Sequence, residues 1–350
     1  MRPLISIKYT VFITLFFVIA SNSQANYFPA PLLLLDKNFS HHVVIAEKST
    51  HKLHVFKNND GKPQHVKTYL VATGKKAGNK IFQGDHRTPE GVYYLTDFLT
   101  HEDLVTRHGK RGEIYGVGAF VLNYPNPIDK IENKTGGGIW LHSTNDETRI
   151  DKGLDSRGCV VSGNTDLIEI SKYIELHKTP IIVVHNLEYL NEEAWTVRRD
   201  KIKGTVDNWL ASWQQENLND YISHYHQNFQ SRSLAGQDQL RSYKNAIFNN
   251  PGKPNIEIEN ITILGARNYA RVTFTQKYTS NTISDVGRKT LYLKENKFYQ
   301  WKIIVENWSK NGIENGRTAA SFEPTQRFFT TNNPKKIMGD KLLYTKSASN

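Results

Sequence analysis

The stretch between Gly136 and Gly163 constrains this chain more than any other part of its sequence. It reads Gly-Gly-Gly-Ile-Trp-Leu-His142-Ser143, then a polar run, then Ser156-Arg157-Gly158-Cys159-Val160-Val161. Cys159 is the only cysteine of the chain, and His142 ends an apolar run that is typical of a strand. A thiol needs a nearby base to become a nucleophile at neutral pH, and a histidine on another segment can supply one. A lone cysteine is also often a small buried apolar residue, but Arg157 and Gly158 before it indicate a turn.

Residues 1–25 have the features of a secretory signal peptide. Arg2 and Lys8 form a basic start, and Tyr9–Ala20 form an apolar segment that is too short to span a bilayer. Small residues in Ser23-Gln24-Ala25 predict cleavage after Ala25, with an uncleaved membrane anchor as the alternative. We therefore expect an exported protein, located in the periplasm.

Export bears on both the cysteine and the charge. An exported chain with one cysteine forms no internal disulfide, and a free thiol in an oxidising compartment is a liability, so catalysis is the commonest reason to keep Cys159. The formal net charge is +11, and it falls to +9 when Arg2 and Lys8 leave with the signal. This basic balance suits the cell wall or a membrane surface, whereas export argues against nucleic acid as a partner.

The first domain is predicted to span residues 41–186 and to be mostly β, after a lead-in at 26–40 whose Leu32–Leu35 run packs on it. The predicted strands are His42–Ala46, Leu53–Phe56, Val66–Thr73, Val92–Leu95, Phe120–Tyr124, Ile139–His142 and Thr179–His185. A loop at 143–156 follows the sixth of these strands. His51 and His54 are three apart, so in a strand they point to opposite faces, and we expect no metal site there.

One clear helix is predicted in this domain, at Asp166–Leu176, with Asn164 or Thr165 as its N-terminal cap. The loop Gly84–Gly91 contains Thr88 and Pro89, which we expect to shape the loop rather than touch a substrate.

A second domain is predicted at residues 195–310, after a short charged linker at 187–194 and before an extended tail at 311–350. Its predicted helices are Val197–Glu216, Leu218–Phe229 and Gln237–Phe248, and its predicted strands are Ile256–Leu264, Ala270–Tyr278, Arg288–Glu295 and Phe298–Glu306. Three helices followed by a curled antiparallel sheet make an α+β cone. The fold class of the whole chain is therefore α+β.

Four sequence blocks of the first domain resemble, in order, the YkuD catalytic domain of bacterial L,D-transpeptidases. They are Val43–Gly74, Gly84-Asp85-x-Arg87-Thr88-Pro89-x-Gly91, Ile139-Trp-Leu-His142-Ser143 and Ser156-Arg157-Gly158-Cys159. Arg157 stands where the family pattern has a second histidine. The second domain resembles a nuclear transport factor 2-like (NTF2-like) domain, through its order of helices and strands and through Trp209, Tyr225, Phe229 and Trp301-Lys302-Ile303. The pairing is similar to the cell-shape-determining L,D-carboxypeptidases that trim peptidoglycan stems.

The resemblance implies roles for six residues. Cys159 would attack the diaminopimelate–D-alanine bond of a tetrapeptide stem, His142 would be its base, and the backbone carbonyl of Ser143 would orient the imidazole ring. Gly158 would belong to the turn whose N–H groups hold the oxyanion. Arg157 would bind a substrate carboxylate or lower the pKa of the thiol, with a solvated turn residue as the equal alternative. Tyr124 would line the cleft, although aromatic residues in strands usually pack in the core.

The resemblance leaves the reaction outcome open. Water as acceptor gives a carboxypeptidase, which the domain pairing and the apolar Val161 favour, and an amine acceptor gives a transpeptidase. The Tyr124-Pro125-Asn126-Pro127 run and the Ser-Arg-Gly-Cys variant also resemble relatives that detach murein-bound lipoprotein. A wall-binding scaffold without turnover is an alternative of another class, against which the intact His142 and Cys159 argue. No metal or organic cofactor is expected.

Overall fold

The protein is described here by a computed structural model that covers residues 26–38, 41–250, 252–310 and 321–339. The predicted signal peptide therefore lies outside the described residues. Among the helices within these ranges, none is both long and apolar enough to cross a bilayer.

The first half of the chain is dominated by short strands. In chain order they are β1 (Tyr27–Pro29), β2 (Leu32–Leu34), β3 (His42–Glu47), β4 (Lys52–Asn59), β5 (Lys62–Gly74), β6 (Gly91–Thr100), β7 (Gly118–Leu122), β8 (Trp140–His142), β9 (Leu154–Ser156), β10 (Val160–Ser162), β11 (Pro180–Val184) and β12 (Tyr189–Asn191). The helices are α1 (His101–His108), a 3₁₀ turn (Gly109–Tyr115), α2 (Pro127–Ile131), α3 (Thr148–Lys152) and α4 (Asn164–Ser171).

Nine of these strands form one sheet in the order β10-β8-β7-β6-β11-β3-β4-β5-β9. Because β10 also pairs with β5, the sheet closes on itself. Closure satisfies the backbone groups that an edge strand would leave unpaired. The interior is filled by apolar side chains of alternating strand positions, among them Val44, Val55, Leu141 and Val160, and by α4 through Leu167.

The second half contains the longer elements. They are α5 (Glu192–Gln214), α6 (Leu218–Ser223), β13 (Tyr225–Gln230), α7 (Gly236–Phe248), β14 (Asn255–Ala266), β15 (Tyr269–Thr279), β16 (Ser284–Glu295), β17 (Trp301–Ser309) and α8 (Pro334–Met338). Asn191 caps α5, since its side-chain oxygen accepts from the Ala194 N–H at 2.8 Å, and Glu192 and Glu193 favour the positive end of the helix dipole. The six-stranded sheet β13-β17-β16-β15-β14-β2 curls around α5 and buries Trp195 and Trp209. The α+β class, with a mostly-β first half, is confirmed.

The predicted lead-in and the predicted tail each contribute to the half that lies farther away in the sequence. The Leu32–Leu34 strand, β2, pairs with β14 and extends the second sheet, while Leu32 and Leu35 also pack with Val43 and Phe56 of the first half, as predicted. The tail is more than an extended segment: residues 334–338 form α8, and Phe329 and Met338 are buried in the core of the first half. Residues 311–320 and 340–350 of the predicted tail lie outside the described ranges.

Four further predictions about elements need correction. The helix predicted at Leu218–Phe229 ends at Ser223, and Tyr225 and Phe229 lie on β13; a spacing of four places two side chains on one face in a helix and in a strand alike. The residue at the N-terminal cap of α4 is Gly163, which has no side chain to cap with. The loop predicted at 143–156 contains α3 and β9, and the predicted linker at 187–194 contains β12.

The two halves share a buried seam. The Tyr269 hydroxyl oxygen on β15 accepts from the Val92 N–H at 2.7 Å and from the Asn126 side-chain amide at 3.1 Å. Gly91 leaves room for this contact, since a Cβ there would lie 2.9 Å from the Tyr269 hydroxyl oxygen. Arg271 adds a second bond across the seam, donating to the Tyr94 hydroxyl at 2.6 Å.

Removing the Tyr269 hydroxyl should destabilise the protein. In Tyr269→Phe, the Val92 N–H and the Asn126 amide lose their acceptor while they stay buried, so we expect the free energy of unfolding to fall by about 2 kcal/mol. Urea unfolding followed by tryptophan fluorescence measures the change. Tyr243→Phe, at an exposed position of α7, is the control and should leave the midpoint unchanged; equal midpoints for both variants would contradict a seam role for this hydroxyl.

Candidate active site

Closure of the first sheet brings His142 and Cys159 to neighbouring strands. Strand β10 runs parallel to β8, with Val160 opposite Leu141 and Val161 opposite His142. Cys159 immediately precedes β10, and His142 is the last residue of β8. The two chemically active side chains are thus fixed by a backbone ladder rather than by a loose loop.

His142 is held with a defined ring orientation. The residue is 3% exposed, and its Nδ1 hydrogen-bonds to the backbone carbonyl of Ser143. A carbonyl oxygen only accepts, so Nδ1 carries the proton and Nε2 keeps a lone pair. Burial, with a smaller contribution from the Arg149 charge, lowers the pKa of His142 to about 4, while the Ser143 carbonyl opposes this. The imidazole is therefore neutral at pH 7 and can accept a proton.

Cys159 is in its thiol form in the free protein. Burial raises the pKa of Cys159 to about 11, against smaller lowering effects of the Trp140 backbone, Arg149 and Lys80. The sulfur lies 3.6 Å from the Gly138 carbonyl, to which the thiol donates. The thiol and the imidazole are therefore both neutral at pH 7.

Tyr115 packs beside His142, and no motif in the sequence pointed to it. Its ring meets that of His142 edge-on, with centroids 4.9 Å apart, and packs against Trp140 at the same centroid distance. Burial raises the pKa of Tyr115, with a smaller contribution from the Cys159 charge and an opposing one from Arg157. The hydroxyl therefore lies in the electrostatic field of the thiol. The residue ends the 3₁₀ turn in the segment that the sequence presented only as a polar, basic insertion.

Ser143 fastens the Tyr115 segment to the end of β8. Its hydroxyl donates to the Tyr115 carbonyl at 3.2 Å and accepts from the Val117 N–H at 2.8 Å. Asn164, at the start of α4, adds bonds to the Val117 N–H at 3.3 Å and the Thr144 carbonyl at 2.7 Å. This explains why Asn164 does not cap its own helix. Ser143 thus orients the base through its carbonyl and the tyrosine segment through its hydroxyl.

The turn before Cys159 is held by Ser156. The Ser156 hydroxyl donates to the Cys159 carbonyl at 2.6 Å and accepts from the Gly158 N–H at 3.0 Å. The Gly158 N–H thus donates to a side-chain oxygen within its own turn, and the oxyanion-binding role of this turn stays a prediction. Gly158 itself has φ +126°, and a Cβ there would lie 2.8 Å from the Arg87 carbonyl.

The loop between β5 and β6 forms the surface behind this turn. Asp85 accepts from the Lys80 ammonium at 2.8 Å and from the N–H groups of Ile81 and Arg87 at 2.7 and 3.1 Å. The Thr88 hydroxyl accepts from the Gly74 N–H at 2.8 Å. These contacts agree with the expectation that this loop is a shaping element.

Arg157 and Tyr124 lie in different surroundings. Arg157 is exposed beside the thiol, and within the described residues its guanidinium has neither a hydrogen bond nor an ion pair. Tyr124 is 7% exposed, belongs to the core of the first half, and donates to the Thr135 carbonyl at 3.2 Å. The geometry thus places Tyr124 in the core rather than along an open cleft. Within the part of the chain that the structure describes, no cluster of three or more metal-ligating side chains occurs.

Comparison with known proteins agrees with this architecture. Residues 41–183 match the model of the L,D-transpeptidase catalytic domain, YkuD, and residues 201–307 match the model of the Cds6 C-terminal NTF2-like domain. The closed sheet with its cysteine and histidine thus defines an L,D-transpeptidase-type catalytic domain followed by an NTF2-like domain.

Solved structures share the whole arrangement. Bd1075 from Bdellovibrio bacteriovorus is 31% identical, with a TM-score of 0.70 over 81% of this chain and 98% of that one. The helical cell shape determining protein Pgp2 from Campylobacter jejuni is 26% identical, with a TM-score of 0.62 over 77% of this chain and 95% of that one. Among curated proteins, no sequence matches the chain. The chain belongs to the family that joins a YkuD L,D-transpeptidase catalytic domain to a C-terminal NTF2-like domain.

Gly158→Ala should reduce the reactivity of the site. A Cβ at φ +126° and 2.8 Å from the Arg87 carbonyl must displace the turn that carries Cys159. We expect the rate of thiol alkylation by iodoacetamide, followed by mass spectrometry, to fall at least about fivefold, since about 1–3 kcal/mol of strain is introduced. Gly137→Ala is the matched control, because a Cβ there meets no atom within 4 Å. Unchanged alkylation in Gly158→Ala would show that the turn tolerates the side chain.

The pH dependence of alkylation tests the neutral pair. A Cys159 pKa of about 11 lies above the ordinary value, so the thiolate fraction and the alkylation rate should rise about tenfold per pH unit from pH 7 to pH 9. Arg149→Met removes a charge that lowers this pKa and should shift the curve to higher pH. A rate that is already level across this range would instead indicate a thiolate–imidazolium pair at rest.

Proposed function

We propose that this chain is a periplasmic L,D-carboxypeptidase that removes D-alanine from tetrapeptide stems of peptidoglycan. The observation that carries the proposal is the Cys159–His142 pair, whose imidazole has Nδ1 bonded to the Ser143 carbonyl and Nε2 left to accept a proton. The family membership supports peptidoglycan as the class of substrate. The pairing with an NTF2-like domain, shared with a protein described as determining helical cell shape, supports trimming as the outcome.

Acylation begins from the neutral pair. His142 Nε2 takes the thiol proton as the Cys159 sulfur attacks the carbonyl carbon between diaminopimelate and D-alanine. The Cys159 N–H donates to the oxyanion that forms. The C–N bond then breaks, His142 returns its proton to the amine of D-alanine, and a thioester remains on Cys159.

Deacylation by water completes the cycle. His142 takes a proton from the water that attacks the thioester carbonyl, the C–S bond breaks, and the departing sulfur is reprotonated. The products are a tripeptide stem and an intact thiol. An amine in place of water would give a cross-link, and the apolar, buried Val161 after the nucleophile favours the simpler hydrolytic outcome.

Arg157 is the proposed contact for a substrate carboxylate. Its side chain is exposed, and its charge acts on Tyr115, so it lies at the open side of the thiol. A guanidinium without a protein partner can bind a carboxylate through two parallel hydrogen bonds. Stem peptides carry several carboxylates, which supplies a substrate group of the right chemistry.

The proposal is tested by mass spectrometry of muropeptides incubated with the protein. We expect tetrapeptides to become tripeptides with release of D-alanine, and we expect Cys159→Ala to be inactive because it has no nucleophile. Arg157→Met should raise KM with a smaller effect on kcat, if Arg157 binds the substrate and not the transition state alone. Tyr243→Phe, far out on α7, is the activity control.

Other product patterns would replace the proposal. Dimers joined between diaminopimelate residues, or exchanged D-amino acids, would identify a transpeptidase. Release of lipoprotein from murein would identify a detaching enzyme. Muropeptides left untouched by wild type and by Cys159→Ala alike would favour a wall-binding scaffold.

A further inference from the structure

The turn between β16 and β17 presents two aromatic side chains on a fixed backbone. The Asn296 side-chain oxygen accepts from the N–H groups of Phe298 and Gln300, at 2.9 and 3.0 Å. The Asn296 N–H donates to the Gln300 carbonyl at 2.9 Å, and the Tyr299 N–H donates to the Asn296 carbonyl at 3.0 Å. Four hydrogen bonds within five residues make this a preformed projection rather than a loose loop.

Phe298 and Tyr299 at its tip are 69% and 74% exposed, the largest exposures among the big apolar side chains that the structure describes. Tyr299 also has φ +59°, a conformation that bulky residues rarely adopt. Asparagine or glycine would fit this position with less strain. The turn therefore keeps two adjacent aromatic rings exposed to water. Neither ring packs in a core, and the aromatic residue at 299 adds backbone strain instead of relieving it.

Three lysines lie in the turn or at the strand ends beside it. The Lys297 ammonium lies 5.1 Å from the centre of the Phe298 ring. Lys294 and Lys302 stand directly opposite each other on β16 and β17, an arrangement that costs free energy through repulsion. The one acidic residue of this segment, Glu295, is paired with Lys201 at 2.9 Å. The projection thus combines apolar rings with a positive rim.

We propose that the Asn296–Gln300 turn, which we name the aromatic tip, docks on an anionic phospholipid surface. Aromatic rings settle at the boundary between headgroups and acyl chains, and lysines beside them attract anionic headgroups. The rings project from a convex turn, whereas small ligands and short glycans are held in concave sites lined by several side chains. The shape therefore favours a membrane over a sugar polymer.

The aromatic tip is also tied to the catalytic half. Lys294, at the base of the hairpin, lies 3.3 Å from Glu132, which directly follows α2. Docking of the aromatic tip would therefore hold the first half of the chain, with Cys159 and His142, at the membrane surface in one orientation. This inference does not depend on the proposed reaction, because membrane binding needs neither Cys159 nor a substrate.

Co-sedimentation with vesicles tests the inference. The protein beginning at Asn26 is mixed with phosphatidylcholine vesicles, with or without phosphatidylglycerol, at low and high salt. We expect binding only to the anionic vesicles, weakened by salt. The double variant Phe298→Ser/Tyr299→Asn should weaken it at least about tenfold through lost apolar burial, and asparagine keeps the positive φ accessible. Lys297→Glu should weaken it at least about fivefold by charge alone.

Matched controls distinguish binding through the aromatic tip from nonspecific adsorption of the protein to vesicles. Tyr243→Ser removes another exposed aromatic residue, and Lys335→Glu reverses another exposed lysine, so both should bind as the wild type does. Equal vesicle binding by the wild type and the two tip variants, or no binding to anionic vesicles, would overturn the inference. A loss of binding to isolated peptidoglycan sacculi rather than to vesicles would overturn it in favour of a glycan surface. Thermal unfolding at the wild-type temperature shows that the variants are folded.

Discussion

The fold depends on the three residues of β10, which lie between β8 and β5 and close the first sheet. Without this strand the sheet has two open edges, and the backbone that carries Cys159 has no register relative to the backbone that carries His142. The ladder thus has a structural and a chemical task at once. It pairs backbone groups that would otherwise be unsatisfied, and it fixes Cys159 and His142 relative to each other at the ends of adjacent strands.

The protonation states of Cys159 and His142 follow mainly from burial. Burial pushes the pKa of the thiol up and that of the imidazole down, so neither group is charged before a substrate arrives. A neutral resting thiol is less open to oxidation than a thiolate.

Much of this was readable from the sequence, and the reasons for the misses are physical. The strands around His142 and Cys159 could be predicted from apolar runs and turn residues, because those patterns are local. The role of Tyr115 is invisible, since it depends on a contact between a 3₁₀ turn and a strand 27 positions later. Tyr225 and Phe229 misled the prediction because their spacing fits a helix and a strand equally well. The leucine run of β2 has the composition of a core strand, and it is buried. No local pattern shows which of the two sheets it joins.

The placement of β2 and of the tail determines whether the two halves can be separated, either by recombination in evolution or by truncation. The edge strand β2 of the second sheet comes from the first part of the chain. Phe329 and Met338, in the core of the first half, come from near its end. No single cut separates two self-sufficient pieces: a cut at 187–194 would leave one fragment lacking an edge strand and the other lacking part of its interior. The two halves are interlaced rather than strung together, so recombination would be expected to move them through evolution as one indivisible unit.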